Sequence, residues 1–194
     1  MRTFISLNID DETKKKITGT VERISAELQK TNSAYINYLK WEDEKKYHIT
    51  LFFIGEVNAE KSKEIESSLS DLRFNFTKNL ISFKITKVNA FPNFRYPRVL
   101  ILDAENEKGE TLILSETVKE FMRKAGFVSD KKFHPHITLA RVKRDRKVNL
   151  TSIKDLFIPE IRFSINKFSL MESRLSPGGA EHSLIKDFFL KYEK

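Results

Sequence analysis

Alternating apolar and polar residues predict strands along the whole chain. The first predicted strand is Arg2–Ile9. One of its faces carries Thr3, Ile5, Leu7 and Ile9, and the other carries Arg2, Phe4, Ser6 and Asn8. The same pattern predicts strands over Tyr47–Ile54, Ile81–Val88, Val99–Leu102, Phe133–Val142, Arg162–Glu172 and His182–Leu190. Between the last two strands, the residues Ser176-Pro177-Gly178-Gly179 are typical of a type II turn.

Apolar residues three or four positions apart predict three helices. The first is capped by Asp10 or Asp11, the second by Asn58, and the third runs from about Lys108 to Ala125 and ends at Gly126. The residues predicted to face inward are Ile17, Val21, Ile24 and Leu28, then Ile65, Leu69 and Leu72, then Leu112, Leu114, Val118 and Phe121. The run 14–16, three lysines, is expected on the exposed face of the first helix.

The mixed order of strands and helices favours an α+β fold with antiparallel sheets. Each half of the chain has the order strand–helix–strand. We therefore expect two similar lobes related by a pseudo-twofold axis, with helices flanking the sheets and a cleft between the lobes. Because the chain has no Gly-rich or Ser-rich linker, residues 1–194 are expected to form a single domain.

Composition narrows the class of protein. The chain has no Cys, which excludes thiol nucleophiles and thiolate metal sites and indicates a reducing compartment. The apolar run Phe4–Ile9 is too short for a signal peptide, and no apolar run approaches the roughly 20 residues that span a bilayer. We therefore expect a cytoplasmic protein with no membrane partner. The formal net charge of +8 favours polyanions such as nucleic acid.

The sequence His-Ile-Thr-Leu occurs twice, at His48–Leu51 and at His136–Leu139. Both copies lie in predicted strands, where side chains two positions apart share a face with Cα atoms roughly 6.5–7 Å apart. Each copy therefore presents an imidazole beside a hydroxyl. Two such pairs facing one another would form a compact cradle for a tetrahedral anion.

This pair of motifs resembles the twin motifs of the 2H phosphoesterase superfamily. More narrowly, the chain resembles the bacterial and archaeal RNA 2′,3′-cyclic phosphodiesterases, also called 2′–5′ RNA ligases. The stretches that carry the resemblance, besides the motifs, are residues 1–5, 51–57, 97–100 and 172–179. One position departs from the pattern, since His182 stands where relatives more often have Tyr.

The motif residues suit the hydrolysis of a cyclic phosphodiester, which needs a base for water and an acid for the leaving oxygen. Two imidazoles supply both near neutral pH, and Thr50 and Thr138 would donate hydrogen bonds to the nonbridging oxygens. No metal or other cofactor is required. The resemblance implies that His48 is the acid and His136 the base. It also implies cleavage of the P–O3′ bond, which leaves a 2′-phosphate.

Three further residues are less clearly assigned. Arg141 lies five positions after His136, so a regular strand would turn it to the opposite face, whereas the resemblance places it beside the substrate. A β-bulge or the end of the strand would reconcile the two. Phe4 could stack on a base, or it could belong to the core. His134 and His136 have the spacing of a metal-ligand pair, but we favour His134 as an exposed residue at the rim of the cleft.

The sequence thus predicts a metal-independent RNA 2′,3′-cyclic phosphodiesterase, expected to be a monomer. One alternative is a noncatalytic module that binds RNA ends in the same basic cleft. A turnover assay distinguishes this module from the enzyme, because a binder would leave the cyclic phosphate unchanged. Another is reversible 2′–5′ RNA ligation, the same chemistry in the other direction. A cluster of basic residues that follows the second motif could hold RNA or could be a solvated surface: Arg141, Lys143, Arg144, Arg146 and Lys147.

Overall fold

The computed structural model describes residues 1–72, 76–130, 132–176 and 179–190. Its strands are β1 (Arg2–Asn8), β2 (Leu39–Trp41), β3 (His48–Glu56), β4 (Ile81–Ile85), β5 (Val88–Phe91), β6 (Val99–Asp103), β7 (His136–Val142), β8 (Ile161–Ile165), β9 (Lys167–Ser176) and β10 (Gly179–Phe189). The helices are α1 (Asp11–Asn32), α2 (Ala34–Tyr38), α3 (Ala59–Leu72) and α4 (Glu110–Lys124), with short 3-10 helices at Glu44–Lys46 and Thr151–Ile153.

The strands form an antiparallel eight-stranded sheet in the order β10-β9-β1-β3-β7-β6-β5, and β2 also pairs with β7. A separate two-stranded sheet contains β4 and β8. The predicted α+β fold with antiparallel sheets and flanking helices is therefore confirmed.

The large sheet consists of two similar halves. In one, β1 leads through α1 to β3, and in the other β6 leads through α4 to β7; each pair of strands is antiparallel. The halves meet where Ile49 of β3 lies opposite Ile137 of β7, and both side chains are fully buried. In the strand order, β3 and β7 are neighbours with further strands on both sides, so the two motif strands lie at the centre of the sheet.

One face of this sheet packs against the helices. Apolar residues of the strands, such as Ile5 and Leu7, share a core with Ile17 and Ile24 of α1 and with Val118 of α4. Burial of each such side chain contributes roughly 1.5–3 kcal/mol. Because side chains alternate along a strand, covering this face with helices leaves the motif histidines and threonines on the other face.

The helix starts agree with the predicted caps. The carboxylate of Asp10 accepts a hydrogen bond from the backbone N–H of Thr13 at 2.8 Å. The side-chain carbonyl of Asn58 accepts one from the backbone N–H of Lys61, also at 2.8 Å. Each cap satisfies an N–H group that has no partner within its helix. None of the helices in the described ranges is long and apolar enough to cross a membrane.

Two predicted strands are each divided between the two sheets. The segment Ile81–Val88 contains β4 and the start of β5, and the segment Arg162–Glu172 contains most of β8 and part of β9. The chain leaves the small sheet at each break and enters the large one. Alternation predicts which side chains share a face, but it does not specify the partner strand, so it missed both transitions.

Two further predictions were wrong in detail. Leu112 was expected to face inward from α4 but is 53 % exposed. The buried residues of this helix comprise three apolar side chains, Leu114, Val118 and Met122, and three polar ones, Glu110, Thr111 and Ser115. The second motif strand begins at His136 rather than Phe133. Pro177 and Gly178 of the predicted type II turn lie outside the described residues.

Candidate active site

The register of β3 and β7 brings the two motifs together. Ile49 lies opposite Ile137 in an antiparallel arrangement. Continuing this register would put His48 on the side of Thr138 and Thr50 on the side of His136. The fold therefore groups two imidazoles and two hydroxyls on the face of the sheet opposite the helices.

Both motif histidines are held by the same local contact. Nδ1 of His48 lies 2.6 Å from the carbonyl of Lys46, and Nδ1 of His136 lies 2.7 Å from the carbonyl of His134. Because a carbonyl can only accept, Nδ1 is the donor in each ring, and the Nε2 atom of the neutral ring carries the lone pair. Each imidazole is thus oriented with a basic nitrogen available for proton transfer.

The Thr50 hydroxyl is coupled to the protonation of His48. Oγ1 of Thr50 lies 3.1 Å from Nε2 of His48, so in the neutral ring the hydroxyl donates to this nitrogen. Once Nε2 is protonated, it no longer accepts a hydrogen bond. The Thr50 hydroxyl hydrogen is then free to turn toward a bound anion.

Burial favours the neutral form of both rings. It lowers the pKa of His48 to about 4; the hydrogen bond to Lys46 opposes this shift, whereas the charges of His182, His136 and Arg141 add to it. Burial also lowers the pKa of His136, against the opposing effect of its hydrogen bond to the His134 carbonyl. An anion bound between the rings would stabilise an imidazolium and so reverse these shifts.

A β-bulge turns Arg141 to the face that carries His136. Along β6 and β7, Ile101 lies opposite Thr138 but Leu100 lies opposite Ala140, so Leu139 is the extra residue. After the bulge, Arg141 lies opposite Val99, on the same face as Ile101 and Thr138. The bulge therefore puts Arg141 on the face of His136, and its contact with the substrate stays a prediction. The side chain of Arg141 is exposed, and its Nε lies 3.5 Å from Oε1 of Glu42.

The first motif has an equivalent bulge. Ser6 lies opposite Thr50 and Ile5 opposite Phe52, so the extra residue is Leu51, three positions after His48. In the second motif the extra residue is likewise three positions after the histidine. Phe53 is therefore the counterpart of Arg141, and the Arg2 guanidinium lies 4.8 Å from the centre of its ring.

Phe4 and His182 form an aromatic cluster with His48. The centre of the Phe4 ring lies 5.1 Å from that of His48 and 5.0 Å from that of His182. Phe4 is 4 % exposed, so its ring supports His48 from within the protein. Its predicted role in stacking on a base stays a prediction.

A similar set of residues surrounds His136. The Phe91 ring lies 5.3 Å from both His134 and His136. Nε2 of His134 lies 2.7 Å from Oδ1 of the buried Asp103, which is opposite His136 in the sheet. Asn89 donates a hydrogen bond to the other oxygen of Asp103 at 2.9 Å. His134 is exposed at the rim, as expected, and anchors a polar network behind His136.

Metal-ligand geometry is not found in the described part of the chain. No group of three or more His, Asp or Glu side chains there is arranged to hold a metal ion. His134 and His136 have ring centres 6.0 Å apart, and Nδ1 of His136 is engaged with a backbone carbonyl.

Comparison with known proteins places the chain among phosphoesterases. The family model described as "LigT like Phosphoesterase" matches residues 9–101 and 103–180, so the chain belongs to that family. An Archaeoglobus fulgidus protein named RNA 2′,3′-cyclic phosphodiesterase is 33 % identical over 190 residues, which cover 97 % of this chain and 99 % of the relative. A Thermotoga maritima protein of the same name is 30 % identical over 95 % of this chain and 93 % of its own length.

Solved structures share the fold. A Thermus thermophilus protein superposes with a TM-score of 0.73 at 24 % identity, over the full length of both chains. Escherichia coli LigT, crystallised with 3′-AMP, superposes with a TM-score of 0.72 at 20 % identity, over 98 % of each chain.

Sequence reasoning missed several residues around the motifs. Asp103 follows directly on the predicted strand Val99–Leu102 and carries no motif, and only strand pairing places it beside His136. Lys14 was assigned to an exposed face, yet its side chain is 19 % exposed and lies near His48. His182 was noted only as a departure from the family pattern, which was the one signal that could have directed attention to it.

Proposed function

We propose that this protein hydrolyses RNA 2′,3′-cyclic phosphate ends to 2′-phosphates, without a metal, by acid–base catalysis from His48 and His136. The observation that carries the proposal is that both imidazoles are held through Nδ1, with Nε2 as the reactive nitrogen, on adjacent strands. The names of the relatives support the same activity. The exposed basic residues after β7 support RNA as the substrate.

The proposed step transfers two protons. Nε2 of neutral His136 removes a proton from water as its oxygen attacks phosphorus, and the P–O3′ bond breaks. Nε2–H of protonated His48 delivers a proton to O3′, so the products are a 3′-hydroxyl and a 2′-phosphate. Thr50, Thr138 and Arg141 stabilise the charge that develops on the nonbridging oxygens. The choice of His48 as acid rests on the family resemblance, because both rings are oriented through Nδ1 by a backbone carbonyl.

The test is to incubate the protein with adenosine 2′,3′-cyclic phosphate and with an oligonucleotide that ends in this group. We expect a 2′-phosphate product, identified by phosphorus NMR against 2′-AMP and 3′-AMP standards, at the same rate with and without EDTA. Unchanged cyclic phosphate despite binding would indicate a noncatalytic RNA-end-binding module. Loss of activity in EDTA, restored by a divalent cation, would falsify the metal-independent scheme. Joining to an added 5′-hydroxyl RNA would reveal ligation.

The pH dependence should differ between the free enzyme and the substrate complex. Because the pKa values of both histidines are lowered, the free state with one ring protonated is most populated below pH 6.5. We therefore expect kcat/KM to fall by about tenfold per pH unit above that range. The bound phosphate anion raises the pKa of the acid, so kcat should decline only at higher pH. Identical alkaline limbs for kcat and kcat/KM would contradict this electrostatic account.

Removing either motif hydroxyl should slow the reaction by about 10- to 100-fold, since a hydrogen bond to a charged group contributes roughly 1.5–3 kcal/mol. Thr50→Val and Thr138→Val keep the branched shape and lose the donor, whereas Thr50→Ser and Thr138→Ser keep the donor. The measurement is kcat on a nucleoside cyclic phosphate. Valine variants as active as the serine variants would show that the hydroxyls are structural.

A further inference from the structure

A cavity of about 160 Å³ lies directly beside His48. It is bounded by β1, the first turn of α1, the 3-10 helix at Glu44–Lys46, and β9 and β10. The side chains that matter for its chemistry are those of Phe4, Lys14, Lys45, Lys46, His48 and His182. His48 is therefore shared by this cavity and by the site proposed for the cyclic phosphate.

The cavity is electropositive. It is lined by three lysines, and no carboxylate occurs among the lining residues that the structure describes. Lys14 pairs with Asp11 at 3.0 Å, but the Asp11 side chain is 89 % exposed, and such pairs are weak. Neither Lys45 nor Lys46 forms an ion pair with a carboxylate among the described residues. The wall therefore favours an anion.

The ring of His182 forms part of the same wall. It lies edge-on to His48, with ring centres 5.5 Å apart. The positive charge of the wall comes from the lysines, so they are the groups expected to contact an anion.

The size of the cavity limits what it can hold. Pockets for whole small-molecule ligands typically measure about 300–1,000 Å³. A cavity of about 160 Å³ is too small for a complete nucleotide but large enough for one anionic group with its first linking atoms. Of the anions found in RNA, a phosphate is the group that fits.

We propose that this cavity binds the 5′-phosphate of the nucleotide that carries the 2′,3′-cyclic phosphate. The proposal rests on the function proposed above. At an RNA end with a cyclic phosphate, the chain continues only toward the 5′ side, so the nearest other phosphate is the one on O5′ of the same nucleotide. It is a free monoester in a mononucleotide and an internucleotide diester in an RNA chain.

The test compares three substrates that differ by this group. These are adenosine 2′,3′-cyclic phosphate, the same compound with a 5′-phosphate, and a dinucleotide that ends in adenosine 2′,3′-cyclic phosphate. The wild type should prefer each phosphate-bearing substrate by roughly tenfold in kcat/KM, mainly through KM, and higher salt should reduce the preference. A higher kcat/KM for the 5′-phosphorylated mononucleotide alone identifies a site for a phosphate monoester. A higher kcat/KM for this mononucleotide and for the dinucleotide identifies a site for RNA.

Lysine variants test the location. Lys14→Ala and Lys45→Ala should each reduce the preference by about threefold, which is the size expected for a partly exposed ion pair. Lys15→Ala is the matched control, because Lys15 neighbours Lys14 on α1 and is exposed, and its loss changes the net charge equally. The Lys15→Ala variant should keep the wild-type preference.

Two outcomes would overturn the proposal. One is an equal kcat/KM for the substrates with and without a 5′-phosphate. The other is an equal loss of the preference in the Lys14, Lys45 and Lys15 variants, because that result would indicate attraction by overall charge. Calorimetric binding of the same three compounds gives the preference independently of turnover. Binding preference without turnover would therefore contradict the proposed function and support the phosphate site.

Discussion

Replacing His48 or His136 with alanine is expected to lower kcat on adenosine 2′,3′-cyclic phosphate by roughly 10²–10⁴-fold, the contribution of a general acid or base. Each ring is oriented through Nδ1 by a backbone carbonyl, so its loss removes the Nε2 that transfers a proton. Because both protons move in one step, the double variant should lose less than the product of the two single losses. Steady-state kinetics of the three variants measure this.

The matched control is His134→Ala. It removes a histidine two residues from His136 but keeps the His134 carbonyl, which orients that ring. Its expected loss is below about tenfold, since it disturbs the contacts of the His134 ring with Asp103 and Phe91 but keeps the carbonyl that holds His136. Thermal unfolding followed by circular dichroism checks that all variants are folded. A folded His48→Ala or His136→Ala variant with more than about a tenth of wild-type kcat would contradict the acid–base scheme.

The second large effect is expected with a substrate whose 3′ oxygen is replaced by sulfur. A leaving group of low pKa departs without protonation, so the acid becomes unnecessary whereas the base is still required. If His48 is the acid, His48→Ala should recover most of its loss of roughly 10²–10⁴-fold on this substrate, and His136→Ala should stay slow. The measurement is the ratio of each variant's rate to the wild-type rate on the sulfur and oxygen substrates.

The electrostatics of the free protein make this test informative. Burial lowers the pKa of His48 to about 4, so the ring needs the bound phosphate to become an acid at neutral pH. A low pKa keeps the ring neutral, as a base must be, but also makes it a weaker base, so the pKa alone does not assign the role. Rescue of His136→Ala instead of His48→Ala would reverse the roles and leave the product unchanged.

Some features of the site follow from local rules and could be read from the sequence. His48 and Thr50 share a face because side chains alternate along a strand, and the same holds for His136 and Thr138. The caps at Asp10 and Asn58 are short-range contacts, within three residues of their partners. The repeated motif predicts an acid–base pair with two hydroxyl donors, and these roles stay a prediction; the family match shows the family alone.

Other features depend on which strands pair. Local alternation predicted that Arg141 would face away from His136, and the bulge at Leu139 reversed this through the register of β6 against β7. The same limit explains why the segments at Ile81–Val88 and Arg162–Glu172 were predicted as single strands, although each is divided between two sheets. A periodic pattern carries information about faces and none about partners.

The sequence by itself determined the chemical groups of the site, because their types and their spacing within each motif are local properties. Only the tertiary structure decided how those groups are assembled. It placed Ile49 opposite Ile137, set Asp103 beside His136, and gathered Lys14, Lys45 and His182 around His48. These contacts join residues far apart in the chain, so they exist only once the strands have paired and the apolar face of the sheet is buried under the helices.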